Sequence, residues 1–155
     1  MPQLVKGGKN AFAWSKVSDT GRIIIPDDAF EEYTFQENEI VILISGSKTS
    51  GGFALTRMEK FLDSTISHAV LKSHPGLIKQ EIPEGESVRF GSRFFCWIQI
   101  NDKSITLPTE TLNNYSVKNG DLLLTVRGSD LGLAFIVKGP MIKEAKKHKE
   151  LRVYQ

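Results

Sequence analysis

RIIIPDDAFEEYTFQENEIVILISGSKTSGGFAL, residues 22–55, returns as SITLPTETLNNYSVKNGDLLLTVRGSDLGLAFIV, residues 104–137, and the fold follows from that repetition. Setting Pro26 on Pro108 gives an offset of 108 − 26 = 82, which holds without a gap through Tyr33/Tyr115, Glu39/Asp121, Gly46/Gly128, Ser47/Ser129 and Phe53/Phe135. Upstream, FAWSKV from Phe12 aligns with FCWIQI from Phe95 at an offset of 83, so Gly21 is the residue the second copy lacks. A fixed period means one supersecondary unit used twice. Each copy spans about 45 residues, near the size below which a domain seldom holds a core alone, so the two are expected to share one.

Read from its residues, the unit is β-β-α-β-β. In the first copy 14–17 is a β-prone run, SDTG has turn chemistry, and 22–25 is a second strand whose three isoleucines predict burial on both faces. Pro26 stops that strand and suits a helix start, with Asp27 and Asp28 at the positive end of the helix dipole. Ala29, Phe30 and Tyr33 give this short helix a one-sided apolar stripe. Strands over 40–44 and 53–56 complete the unit. The second copy repeats the plan with strands over 96–100, 104–107, 122–126 and 134–137, and Pro108 opens a helix with Leu112 and Tyr115 inward. Because 40–44 and 122–126 are both mostly apolar, they are expected inside one closed sheet, making the fold a mainly β barrel with short helices. Helix-compatible stretches follow each unit at 57–72 and 141–151, and 79–93 reads as a loop with a short strand. The divisions are 12–56 for the first repeat, 57–94 for a helix-containing linker, 95–138 for the second repeat and 139–155 for a basic C-terminal helix or tail.

Several function classes find no footing. No apolar run approaches the ~20 residues that cross a bilayer, and the N-terminus lacks a hydrophobic signal segment, so no membrane partner and a cytoplasmic location are expected. Cys96 is the single cysteine and reads as a core strand residue. His68 and His74 have no further ligand at metal spacing, and no cofactor is expected. There is no Ser/His/Asp order and no Cys with a nearby His, so catalysis is not expected. The glycine-rich stretches 46–52 and 128–132 offer amides that could cradle an anion, but they lack P-loop spacing and read as hairpin connections. Trp14 and Trp97 recur at matching positions, which favours packing over base stacking. Net charge is +2, distributed as +2 over 1–11, −4 over 12–56, +1 over 57–94, 0 over 95–138 and +3 over 139–155. Positive charge sits at the ends, where the tail KEAKKHKE can grip nucleic acid or form a solvated helix face.

The stretch GRIIIP, the short helix and EIVIL after it resemble the SpoVT/AbrB family of swapped-hairpin domains. The match runs over about 16–44 and again over 100–126, and tandem copies in one chain look like the MraZ arrangement, a covalent pseudo-dimer. The resemblance implies two AbrB-like units exchanging hairpins into one β-barrel, and a prokaryotic transcription regulator or antitoxin-like protein binding double-stranded DNA. By position it places Lys16 and Arg22 of the first copy and Lys103 of the second at the DNA. The residue reading gives Arg22 a second role, bracing the fold through Asp19 or backbone carbonyls. The second copy has lost both Gly and Arg of the turn, and the helices read DDAFEE and TETLNN, of which the first repels a phosphate backbone. The alternative is therefore a non-catalytic protein-interaction or ligand-sensing module that keeps the barrel without DNA binding. The chain is expected as a monomeric pseudo-dimer or a homo-oligomer.

Overall fold

The computed structural model describes residues 3–4, 10–128 and 132–155. A short β1 (Gln3–Leu4) precedes β2 (Asn10–Lys16), which turns back into β3 (Arg22–Ile24). Pro26 ends that run at φ −54° and leads α1 (Asp27–Glu32), which buries Ala29. The hairpin β4 (Ile40–Ser45) and β5 (Phe53–Arg57) closes the first copy. The linker holds α2 (Met58–Asp63), α3 (Thr65–Ser73), α4 (Gly76–Lys79) and β6 (Val88–Phe90). The second copy supplies β7 (Arg93–Gln99), β8 (Ser104–Thr106), α5 (Thr109–Asn114), β9 (Leu122–Arg127) and β10 (Leu133–Ile136). Finally α6 (Pro140–Ala145) and β11 (Val153–Tyr154) form the tail.

The copies are interleaved. The first strand of each pairs with the third strand of the other, β2 with β9 and β7 with β4. The registers are equivalent: Trp14 faces Leu124 and Lys16 faces Leu122, while Trp97 faces Ile42 and Gln99 faces Ile40. The two short second strands pair with each other, Ile23 opposite Ile105, and the fourth strands do the same, Phe53 opposite Phe135. Each of those residues faces its own counterpart at the offset of 82, which is the signature of a local two-fold relation between the copies. The Phe53 and Phe135 rings stack there with centroids 4.9 Å apart.

The principal core draws on both copies, with Val17, Ile23, Ile25, Val41 and Leu55 from the first packed among Ile98, Ile105, Leu107, Leu112, Tyr115 and Leu133 from the second. Two further apolar clusters cover the other sides of the strands. Ile42, Ile44 and Phe95 lie under Phe61, Val70 and Leu77 of the linker helices. At the matching place in the other half, Trp14, Leu124 and Val126 lie under Ile142, Ala145 and Leu151 of the tail. Linker and tail thus do the same work, removing from water the face that each copy cannot bury alone. Burial of each such Val, Leu, Ile or Phe side chain is worth about 1.5–3 kcal/mol. Both tryptophans are consumed in this packing, and the Trp97 indole donates to the Ile82 carbonyl at 2.7 Å.

Four expectations need correction. The sheet is not closed into a barrel: its order is β1-β2-β9-β10-β5-β4-β7-β6 with β11 beside β2, and β3 and β8 form a separate two-stranded ribbon. Strands of three residues, ended by Pro26 and Pro108, satisfy one another and do not bridge the long strands. β4 and β9 are interior strands of this open sheet, each hydrogen-bonded on both sides. Within 22–25, Ile23 and Ile25 are buried but Ile24 is half-buried.

The helix expected over 57–72 breaks at Ser64, which is extended at φ −78° and ψ 152°. Its hydroxyl donates to the Phe61 carbonyl and its own carbonyl accepts from Ser67 Oγ, local bonds that compete with helical ones. In one continuous helix Phe61 and Val70 would lie on opposite faces at about 100° per residue. The break turns both inward and leaves Leu62 and Ile66 exposed. The helix expected over 141–151 ends at Ala145, after which Lys147 and His148 donate to carbonyls three residues back. These three-residue bonds tighten the end of the helix, and Leu151 is carried back into the core.

Candidate nucleic-acid interface

The ribbon end of the molecule holds two of the three predicted DNA-facing residues. In the first copy the turn after β2 is organised by Ser18, whose Oγ accepts from the Arg22 amide at 3.0 Å and the Thr20 amide at 3.3 Å. Gly21 takes φ +85°, and a Cβ there would overlap the Leu107 carbonyl oxygen, so glycine is required. The second copy makes its shorter turn without glycine by placing Asp102 and Lys103 at φ 54° each.

Arg22 leaves β3 and crosses to the other copy. Its Nε donates to Ser104 Oγ at 2.9 Å, and its outer nitrogen lies 3.5 Å from Asp102. Ser104 is the counterpart of Arg22 itself, one offset of 82 away. Lys103 answers from the second copy: its Nζ lies 3.4 Å from Asp27 and 5.6 Å above the Phe30 ring. Glu37 accepts from the Lys103 backbone amide. The alternative role foreseen for Arg22 is therefore seen in altered form, with Ser104 and Asp102 as its partners in place of Asp19.

Lys16 stands apart. It is exposed at the end of β2, on the strand face it shares with Trp14, and its side chain makes no hydrogen bond or ion pair among the described residues. The tail adds exposed Lys143, Lys146, Lys147 and Lys149, with Lys147 3.4 Å from Glu144. Lys6 and Lys9 of the basic arm, and residues 129–131 of the second glycine-rich stretch, lie outside the described residues.

Two clefts open at matching places beside the short helices. One, of about 390 Å³, is lined by Pro26, Asp27, Asp28, Glu150 and Arg152 among others. The other, of about 280 Å³, is lined by Pro108, Glu84, Glu86 and Glu110 among others. Their carboxylates make both unsuited to phosphate.

Cys96 is fully buried with its sulfur 3.4 Å from the Tyr115 hydroxyl, and burial pushes its thiol up to about 12. His68 is exposed; His74 Nε2 lies 3.0 Å from the Arg89 carbonyl and so donates to it. No group of three or more His, Cys, Asp or Glu able to hold a metal is found among the described residues. No helix among the described residues is long and apolar enough to cross a membrane. Compared with protein-family models, with curated proteins and with solved structures, the chain finds no match in any of the three.

Proposed function

We propose that this protein is a cytoplasmic transcription regulator of the SpoVT/AbrB swapped-hairpin type, in which tandem copies form an intrachain pseudo-dimer that binds double-stranded DNA. The observation that carries this reading is the reciprocal pairing of β2 with β9 and β7 with β4 in equivalent registers, an exchange of strands between copies that the resemblance implies. Arg22 and Lys103 would meet phosphates at the ribbon end and Lys16 beside the first turn, with the tail lysines adding attraction. Exposed ion pairs such as Arg22–Asp102 and Lys103–Asp27 are worth about 0–1 kcal/mol, so a phosphate can displace the carboxylate.

The test is titration of duplex DNA at two salt concentrations, comparing random sequence with the DNA upstream of the protein's own gene. Salt-dependent binding with preference for the upstream fragment is expected. Arg22→Ala should weaken binding and lower the salt slope by about one for each phosphate left without its cation. Absence of binding at low salt would exclude the regulator.

A second reading is favoured by the same ion pairs. Both predicted cations at the ribbon are met by a carboxylate of the other copy, and the first copy carries a net −4. This supports a non-catalytic protein-interaction or ligand-sensing module that keeps the fold and has dropped the DNA face. In that case Arg22→Ala changes stability and leaves no DNA affinity to lose.

A further inference from the structure

The offset of 82 also exposes a place where the halves differ. Arg127 of β9 grips Glu32 of α1 with two hydrogen bonds of 2.6 Å, from Nε and from the outer nitrogen. The counterpart of Arg127 is Ser45, and the counterpart of Glu32 is Asn114. One half thus carries a bidentate ion pair, while the other has short neutral side chains at both positions. What remains there is a cavity of about 200 Å³ between the 46–52 hairpin and the chain at 92–94 and 114–116.

The polar side chains around this cavity are hydroxyls, one amide and one ammonium. Ser47, Lys48, Ser92, Asn114 and Ser116 line it, and none of the residues lining it is acidic. Asn114 Nδ2 is directed to Ser87 Oγ at 2.7 Å and Ser47 Oγ lies 3.2 Å from Ser50 Oγ. The Lys48 ammonium and the Ser92 and Ser116 hydroxyls make no hydrogen bond to the described residues. Arg93, next to Ser92, donates to the Ser45 carbonyl at 2.9 Å and has no carboxylate partner among the described residues. A cation and several hydroxyls with no counter-charge suit an oxyanion with acceptor oxygens on several sides. The volume lies below the roughly 300–1,000 Å³ of pockets for drug-sized ligands. In size it admits a phosphate group with a few carbon atoms and not a nucleotide.

We propose that this cavity, lined by Ser45 and Asn114 where the other half carries the Arg127–Glu32 pair, is a binding site for a small phosphate monoester. The site is independent of the DNA-binding reading. Calorimetric titration of the full chain with glycerol phosphate, with glycerol as the neutral control, tests it. Saturable binding of one equivalent of glycerol phosphate and none of glycerol is expected. Lys48→Ala, an exposed position whose loss leaves the fold intact, should weaken binding roughly tenfold through loss of a charge-assisted hydrogen bond. Asn114→Glu should abolish it by placing in the cavity the carboxylate that the other half carries, while circular dichroism confirms that this variant is folded. Absence of saturable binding to the wild-type chain, or affinity unchanged by Lys48→Ala, would overturn the proposal.

Discussion

Gly52 shows how much of this fold hangs on single backbone positions. It takes φ +71° where β5 meets β10, and a Cβ there would overlap the Phe135 carbonyl oxygen. Gly52→Ala is expected to destabilise the protein by more than about 2 kcal/mol, because strain and displacement of a paired strand act together. Urea unfolding midpoints of the two proteins measure this. Glu32 gives a pH signature. Its hydrogen bonds to Arg127 hold its carboxyl below the usual 4.5. A depressed carboxylate stabilises the fold above its unfolded pKa, and that contribution is lost as pH falls through the lower folded value. Arg127→Ala should therefore cost about 1 kcal/mol at pH 7, the upper range for a solvent-screened pair, and less at pH 3. Equal costs at both pH values would show that Arg127 acts through packing on Phe12, whose ring lies 5.5 Å from the guanidinium. At this scale the sequence offered Arg22 a bracing role, but not Ser104 and Asp102 as its partners. Those lie 82 and 80 positions away, and their meeting across the copies depends on pairing that periodicity does not register.

Among the elements, strands were the more legible. Each β-prone run bounded by glycine, proline or polar turns became a strand within a few residues, because alternation and turn chemistry act locally. Helices beyond the repeats were not. The apolar spacing over 57–72 is compatible with one helix, yet the Ser64–Thr65 junction offers the backbone rival hydrogen bonds, and the core rewards burial of Phe61 and Val70 together. Replacing Ser64 with Ala removes the hydroxyl bond that helps fix the break. The expected result is a loss of about 1 kcal/mol in stability, not a gain from improved helix propensity, because a continuous helix would pull Val70 from its cluster. Chemical denaturation decides the sign. The cavity beside 46–52 left a trace in the sequence as well: aligning Ser45 with Arg127 and Asn114 with Glu32 shows an ion pair that only one half can make. Its consequence was hidden because nothing in the alignment says that those two positions touch.

For the molecule as a whole, duplication made two units visible but not their relation. A closed barrel and an open interleaved sheet contain the same strands, and the difference lies in which edges meet. Here the short second strands satisfy one another in a ribbon, and the long sheet stays open between β1 and β6. Linker and tail, without counterparts in the repeat, each cover one outer face. Both copies contribute to the principal core, so neither can bury its apolar face alone. Polypeptides 1–74 and 75–155, produced separately, should each lack cooperative unfolding and recover it on mixing. Cooperative unfolding of a monomeric half would mean two independent domains. The functional reading depends on the exchange of first strands between copies, and backbone nuclear Overhauser effects in the intact chain test that exchange most directly. Cross-peaks joining Trp14 to Leu124 and Trp97 to Ile42 are expected. Cross-peaks joining Trp14 to Ile42 and Trp97 to Leu124 instead would place each first strand within its own copy and contradict the interleaved fold.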